Sequence, residues 1–187
     1  MKKKLFVALI SLLLPLSAFA GGFGVIGGYT SSKIKLSETT FKTSNGVHAG
    51  VAYNLPLGAG FAFQPELIYN VKGYNWGEEG TSIKDKAKFG YVELPLQLQW
   101  GVDLVLLRPY VFAEPFVGYA VWGNKLLSKS RFEYGLGVGA GTDLFDFLQL
   151  SFKYYWNFED ASQWADVTGK VKGGGFNGLL FTVGFFF

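Results

Sequence analysis

Cysteine is absent from this 187-residue chain, which rules out a disulfide framework and a thiolate metal site. Histidine occurs once, at His48, too few for the usual imidazole-rich zinc centre. Beyond the first twenty residues there is no charge-free apolar run of about 18 residues. The longest candidate is broken by Arg108 and Glu114. This argues against membrane-spanning helices, and a chain that crosses a bilayer without them must close into a β-barrel, the other structure that pairs all its own backbone groups. Excess charge is missing too. The formal net charge is +3, from 17 basic and 14 acidic residues, but three of the lysines are Lys2, Lys3 and Lys4, so residues 21–187 balance at 14 against 14. That balance gives no support for a nucleic-acid partner or a polybasic membrane patch. The glycine clusters Gly135-Leu136-Gly137-Val138-Gly139 and Gly173-Gly174-Gly175 are not followed by a lysine-serine pair or a helix start, so they do not read as phosphate loops.

Glycine and aromatic side chains are abundant: 26 Gly, 19 Phe, 10 Tyr and 5 Trp, a composition that points to β-structure. Lys2 to Lys4 precede an apolar run from Leu5 to Leu16 and the small-residue stretch Ser17-Ala18-Phe19-Ala20. Residues 1–20 therefore read as a cleavable secretory leader, leaving one domain over 21–187. At the far end, Leu179, Phe181, Val183, Phe185 and Phe187 share one parity, against Gly178, Thr182 and Gly184 on the other. One greasy face and one small or polar face is the pattern of a membrane-barrel strand.

Eight such segments are predicted, at 22–31, 46–55, 61–73, 88–101, 109–122, 131–144, 149–159 and 175–187. Their spacing alternates between long and short connections, the pattern of an all-β, antiparallel up-and-down barrel with short periplasmic turns and longer external loops. On the second segment Val47, Ala49, Val51, Tyr53 and Leu55 oppose His48, Gly50, Ala52 and Asn54. On the seventh Leu150, Phe152, Tyr154, Trp156 and Phe158 oppose Gln149, Ser151, Lys153, Tyr155 and Asn157. On the sixth Glu133, Gly135, Gly137, Gly139, Gly141 and Asp143 share one face, as expected of a lumen. Trp76, Trp100, Trp122 and Trp156 fall near strand ends, suited to interfacial girdles. The alternative is a soluble eight-stranded ligand barrel similar to a lipocalin, with its apolar face inward.

With the apolar parity outward, Glu66, Glu93 and Glu114 point into the lumen from three neighbouring strands at similar heights. Three anions in such a space require a cation, and Lys153 is the candidate by parity and height, with Lys72, Arg108 and Arg131 nearer the rims. A small barrel's interior is just wide enough for side chains to fill it, so these charges are expected to form an interior network that plugs the lumen. The competing chemistry is a general acid-base pair or a cation site. No residue is assigned as catalytic, metal-binding or cofactor-binding, and no cofactor is expected. Tyr110, Phe112 and Phe116 of the fifth segment are expected to pack against the glycines of the sixth. Pro65, Pro95 and Pro115 lie inside segments and predict bulges or local strain in the ladder. His48 points inward near the outer end of its segment, and nothing in the spacing sets Ser128, Ser130 or Glu133 beside it.

The phrases Val47-His48-Ala49-Gly50-Val51, Phe63-Gln64-Pro65-Glu66-Leu67-Ile68-Tyr69 with Lys72-Gly73, Tyr91-Val92-Glu93-Leu94-Pro95-Leu96, and Arg108-Pro109-Tyr110-Val111 with Pro115-Phe116-Val117-Gly118-Tyr119 resemble the PorT-like outer-membrane β-barrel family of Bacteroidota. The resemblance extends over nearly the whole of 21–187. It implies an eight-stranded outer-membrane barrel with both termini in the periplasm, and the family's namesake is associated with protein secretion. No loop motif ties this chain to that branch. The terminal Phe185 and Phe187 look like the signal read by the barrel assembly machinery. The expected protein is thus a small, non-enzymatic barrel with a plugged lumen, serving as a structural or surface-interaction scaffold. Its expected partners are outer-membrane lipids and the assembly machinery, with no nucleic acid. An accessory role in a secretion or surface-assembly complex is the alternative, ahead of a barrel enzyme, a narrow channel or the soluble ligand binder. The loops 32–45, 74–87 and 160–174 carry Phe41, Trp76 and Trp164 among charges, a composition that suits surface polysaccharide or protein as well as interfacial anchoring.

Overall fold

Period-two alternation becomes strand throughout the computed structural model, which describes residues 22–34, 42–76, 85–123, 132–145, 147–158 and 176–187. The strands are β1 (Gly22–Ile34), β2 (Lys42–Gly58), β3 (Phe61–Trp76), β4 (Asp85–Gly101), β5 (Leu107–Gly123), β6 (Phe132–Leu144), β7 (Leu148–Asn157) and β8 (Phe176–Phe186). Each pairs antiparallel with its sequence neighbour, and β1 pairs with β8, so the sheet closes and has no edge. The proposed leader, Phe41, Ser128, Ser130, Arg131 and Trp164 lie outside the described residues.

All eight predicted strands are present, and most run further than the alternation shows. β2 begins at Lys42 and β4 at Asp85, so part of what read as long loop is ladder. Apolar alternation is needed only where a strand faces hydrocarbon, whereas polar residues continue the pairing beyond it. The short turns are tight. Gly58, Ala59 and Gly60 have φ of 89°, 52° and 80°, and a Cβ at Gly60 would lie 2.3 Å from the Gly101 carbonyl oxygen. The β2–β3 turn can therefore approach β4 only as glycine.

The prolines do not produce bulges. Register is unchanged on either side of Pro65, Pro95 and Pro115, and the shifts occur elsewhere, between Thr43 and His48, Pro56 and Gly58, and Gly90 and Tyr91. Each proline instead interrupts the ladder on one side. Pairing of β2 with β3 lapses between Ala52↔Glu66 and Leu55↔Phe63, of β3 with β4 between Pro65↔Leu96 and Ile68↔Glu93, and of β4 with β5 between Pro95↔Phe116 and Leu98↔Ala113. On the other side Pro65↔Leu96, Pro95↔Phe116 and Pro115↔Leu136 are kept. A strand residue sends its N–H to one neighbour only, so proline removes one bond and leaves the other pairing intact.

Polarity is inverted relative to a soluble domain. Thr30, Gln64, Asn70, Lys72, Glu93, Gln99, Glu114 and Glu133 are buried inside, while Leu67, Leu94, Leu98, Val111, Phe152 and Phe181 stand exposed on the outer wall. This overturns the soluble ligand-barrel alternative, which needs its apolar face inward.

Candidate functional site

The interior is filled by two charged clusters and the polar chains attached to them. β6 makes room for both. Tyr110↔Gly141, Phe112↔Gly139, Glu114↔Gly137 and Phe116↔Gly135 pair a large β5 side chain with a glycine each time, as the sequence predicts. Cβ atoms at Gly135, Gly139 and Gly141 would fall about 2.5 Å from the rings of Phe116, Phe112 and Tyr110, so the rings occupy the space those side chains would take.

Across Gly137 and Gly139, Lys153 of β7 reaches Glu114 of β5 and ion-pairs with it. Gln97 Nε2 donates to the other Glu114 oxygen at 3.2 Å. Glu66 accepts a hydrogen bond from Gln64 at 2.9 Å. The glutamates therefore do not gather around one lysine.

The second cluster is centred on Lys72, which sequence reasoning set near a rim. Lys72 is 1% exposed, because β3 continues to Trp76. Its Nζ lies 2.8 Å from Glu93 and 2.9 Å from Glu133, and 4.7 to 5.2 Å from the ring centroids of Tyr155, Tyr91 and Phe116. Glu93, Gly118 and Glu133 lie on one rung, β4 to β5 to β6. A Cβ at Gly118 would be 2.7 Å from Glu133 Oε1, so this glycine lets two carboxylates converge on one ammonium. Glu133 also accepts from Asn157 at 2.7 Å. The signal that Glu133 belongs with the interior glutamates was its lumen parity on β6.

A polar chain leads from this cluster to the histidine. Asn70 Nδ2 donates to Glu93 at 3.3 Å, which orients the amide, and Thr30 then donates to Asn70 Oδ1 at 2.9 Å. Having spent its single proton, the Thr30 hydroxyl accepts from His48 Nδ1 at 3.0 Å. In the neutral imidazole Nε2 then accepts from Thr182, also at 3.0 Å. His48 thus ties β2 to β1 and β8, with both ring nitrogens engaged by threonine hydroxyls.

At the short-turn end Arg108 serves as a clasp. Its guanidinium donates to Gly60 O at 3.0 Å and Gln99 at 2.9 Å, and pairs with Asp143 at 3.0 Å and Asp103 at 3.4 Å. Gln149 joins it by donating to Asp143 at 2.8 Å. Arg108 lies at the rim, as the sequence implies, and links the β2–β3 and β4–β5 turns to the end of β6. Beneath them opens a vestibule of about 680 Å³, lined by Asn54, Arg108, Asp143, Gln149, Phe147 and Phe186 among others. Among the described residues no group of three or more His, Cys, Asp or Glu is arranged to hold a metal ion. Phe185 and Phe187 point outward and are exposed; Phe187 N donates to Phe23 O at 2.9 Å, and its ring meets that of Phe23 edge-on at 5.7 Å.

Residues 19–163 match the family model described as outer membrane protein beta-barrel domain. The crystal structure of Neisserial surface protein A is similar at a TM-score of 0.52 and 16% identity, covering 87% of this chain and 96% of that one. That of Ail, the attachment invasion locus protein of Yersinia pestis, in complex with the heparin analogue sucrose octasulfate, is similar at a TM-score of 0.50 and 15% identity, covering 89% and 99%. At these identities the likeness is one of fold. No curated protein matches the chain.

Proposed function

The chain belongs to the outer membrane protein beta-barrel domain family, and we propose that it is a non-enzymatic integral outer-membrane scaffold whose lumen is plugged by its own side chains. The observation that carries this reading is the Lys72–Glu93–Glu133 cluster, an ammonium held by two carboxylates and three aromatic rings in the barrel interior. Glu66, Glu93, Glu114 and Lys153 belong to the plug, joined by Lys72 and Glu133, and they hold the wall together instead of lining a path for solute. Residues 1–20 are a cleaved leader, both ends of the mature chain lie in the periplasm, and recognition falls to the connections at the opposite end. Affinity with the PorT-like branch rests on the sequence phrases alone. Single-channel recording in planar bilayers tests the plug. The wild-type barrel is expected to be silent, whereas stepwise conductance altered by Lys153→Ala would replace the scaffold with a narrow channel.

The alternative is an accessory subunit of a secretion or surface-assembly complex. Cross-linking of intact outer membranes followed by purification of the tagged chain separates the two. Recovery of secretion machinery would favour the accessory role, and recovery of assembly factors alone the scaffold.

A further inference from the structure

The short turns are unusually apolar. Val105 is 99% exposed, and Leu57, Leu104, Leu106, Phe145 and Phe147 are at least half exposed around it, so three turns form one greasy rim. We propose that this rim is embedded in the headgroup layer of a membrane leaflet and does not project into water, with phospholipid as its partner.

Three observations support lipid as the occupant. The rim continues the lipid-facing wall without a break, since every outward residue of β5 from Leu107 through Val111, Val117 and Tyr119 to Val121 lacks a charge. Fourteen residue steps of a strand tilted about 40° rise roughly 35 Å, against an apolar band of about 25 Å. Measured down from Tyr119 and Val121, that band ends near Val111, which pairs with Trp100 of β4, an exposed indole at the height expected of an interfacial girdle. The turn Val102 to Leu106 lies directly below it, at headgroup depth.

Backbone bonds tie the three turns to one another and to the strands. Leu104 N donates to Leu107 O, Phe145 N to Leu106 O and Gly101 N to Gly60 O, at 3.0, 3.2 and 2.9 Å. The carboxylate of the β4–β5 turn, Asp103, has the Arg108 guanidinium at 3.4 Å. The rim is thus held together by its own bonds, and of its two turn carboxylates, Asp103 and Asp146, the first is countered by Arg108.

The absence of cysteine makes the test direct, because Val105→Cys is a unique attachment point for a nitroxide spin label. The full-length barrel is refolded into vesicles of phosphatidylethanolamine and phosphatidylglycerol, with Leu96→Cys on the mid-wall as the lipid reference and Leu104→Cys as a second rim site. Collision with oxygen is compared with collision with a water-soluble nickel chelate present on both sides. Rim labels are expected to be shielded from nickel several-fold relative to free label in buffer, while their oxygen-to-nickel collision ratio lies between that at Leu96 and that of free label. Nickel access equal to that of free label would place the turns in water and overturn the proposal. Shielding from both reagents would also overturn it, by showing protein covering the rim.

Discussion

Lys72 shows how much of this barrel rests on single side chains. A buried ammonium is costly to desolvate, and its two carboxylates and three rings compensate only while all are present. Lys72→Met leaves Glu93 and Glu133 facing each other without a cation, and removal of one partner of a buried pair costs about 3–5 kcal/mol. Denaturant unfolding in vesicles should show a loss of that order, mostly recovered when Glu93→Gln and Glu133→Gln are added; stability equal to wild type would contradict the assignment. Lys153→Ala strands Glu114 alone and should lower the unfolding temperature of the detergent-solubilised barrel, so an unchanged melting curve would remove Lys153 from the plug. For His48 the hydrogen-bond chain from Glu93 through Asn70 and Thr30 requires the Nδ1–H form. Two-bond proton–nitrogen NMR of the refolded barrel should find Nδ1 protonated and Nε2 bare, and the opposite tautomer would mean the chain is oriented differently.

Among the elements, β6 carries four lumen-facing glycines, Gly135, Gly137, Gly139 and Gly141, which differ in what they protect. A Cβ at Gly139 would come within 2.3 Å of the Phe152 carbonyl oxygen and 2.5 Å of the Phe112 ring, so both a backbone and a packed ring stand in its way. At Gly137 the nearest atoms, at 2.8 and 3.0 Å, belong to the flexible Glu114 side chain. Gly139→Ala should therefore reduce the folded fraction, read by heat-modifiable electrophoretic mobility, more than Gly137→Ala, and the reverse ranking would refute this account of β6. The prolines of β3, β4 and β5 each give up pairing on one side only, which a closed sheet tolerates because the neighbouring rungs hold the register.

For the whole molecule, closure of β1 on β8 turns a chain of hairpins into a wall without edges, with apolar residues outside and ion pairs inside. The end of β8 contributes to closure through the Phe187 to Phe23 bond, and its outward phenylalanines are available to a receptor. If Phe185 and Phe187 are the assembly signal, deleting Phe187 should lower membrane-inserted protein in cells while the purified chain still refolds in detergent. An equal loss in both settings would make the residue merely structural.

The period-two alternation is local, so the sequence by itself determined the number of strands, their order, and which face of each turns inward; Leu150, Phe152 and Tyr154 against Ser151 and Lys153 suffice for β7. The match of β5 aromatics to β6 glycines was legible too, because consecutive strands of an up-and-down barrel pair with each other and a row of large inward side chains packs best against small ones. Strand ends were not, since polar residues such as Lys42 and Asp85 keep pairing after the alternation stops. Nor was the choice of cation: Lys72 and Glu133 are 61 residues apart. Only the closed register and the room left by Gly118 bring Glu93 and Glu133 to one ammonium, because ion pairs across a lumen depend on how the whole cylinder is staggered.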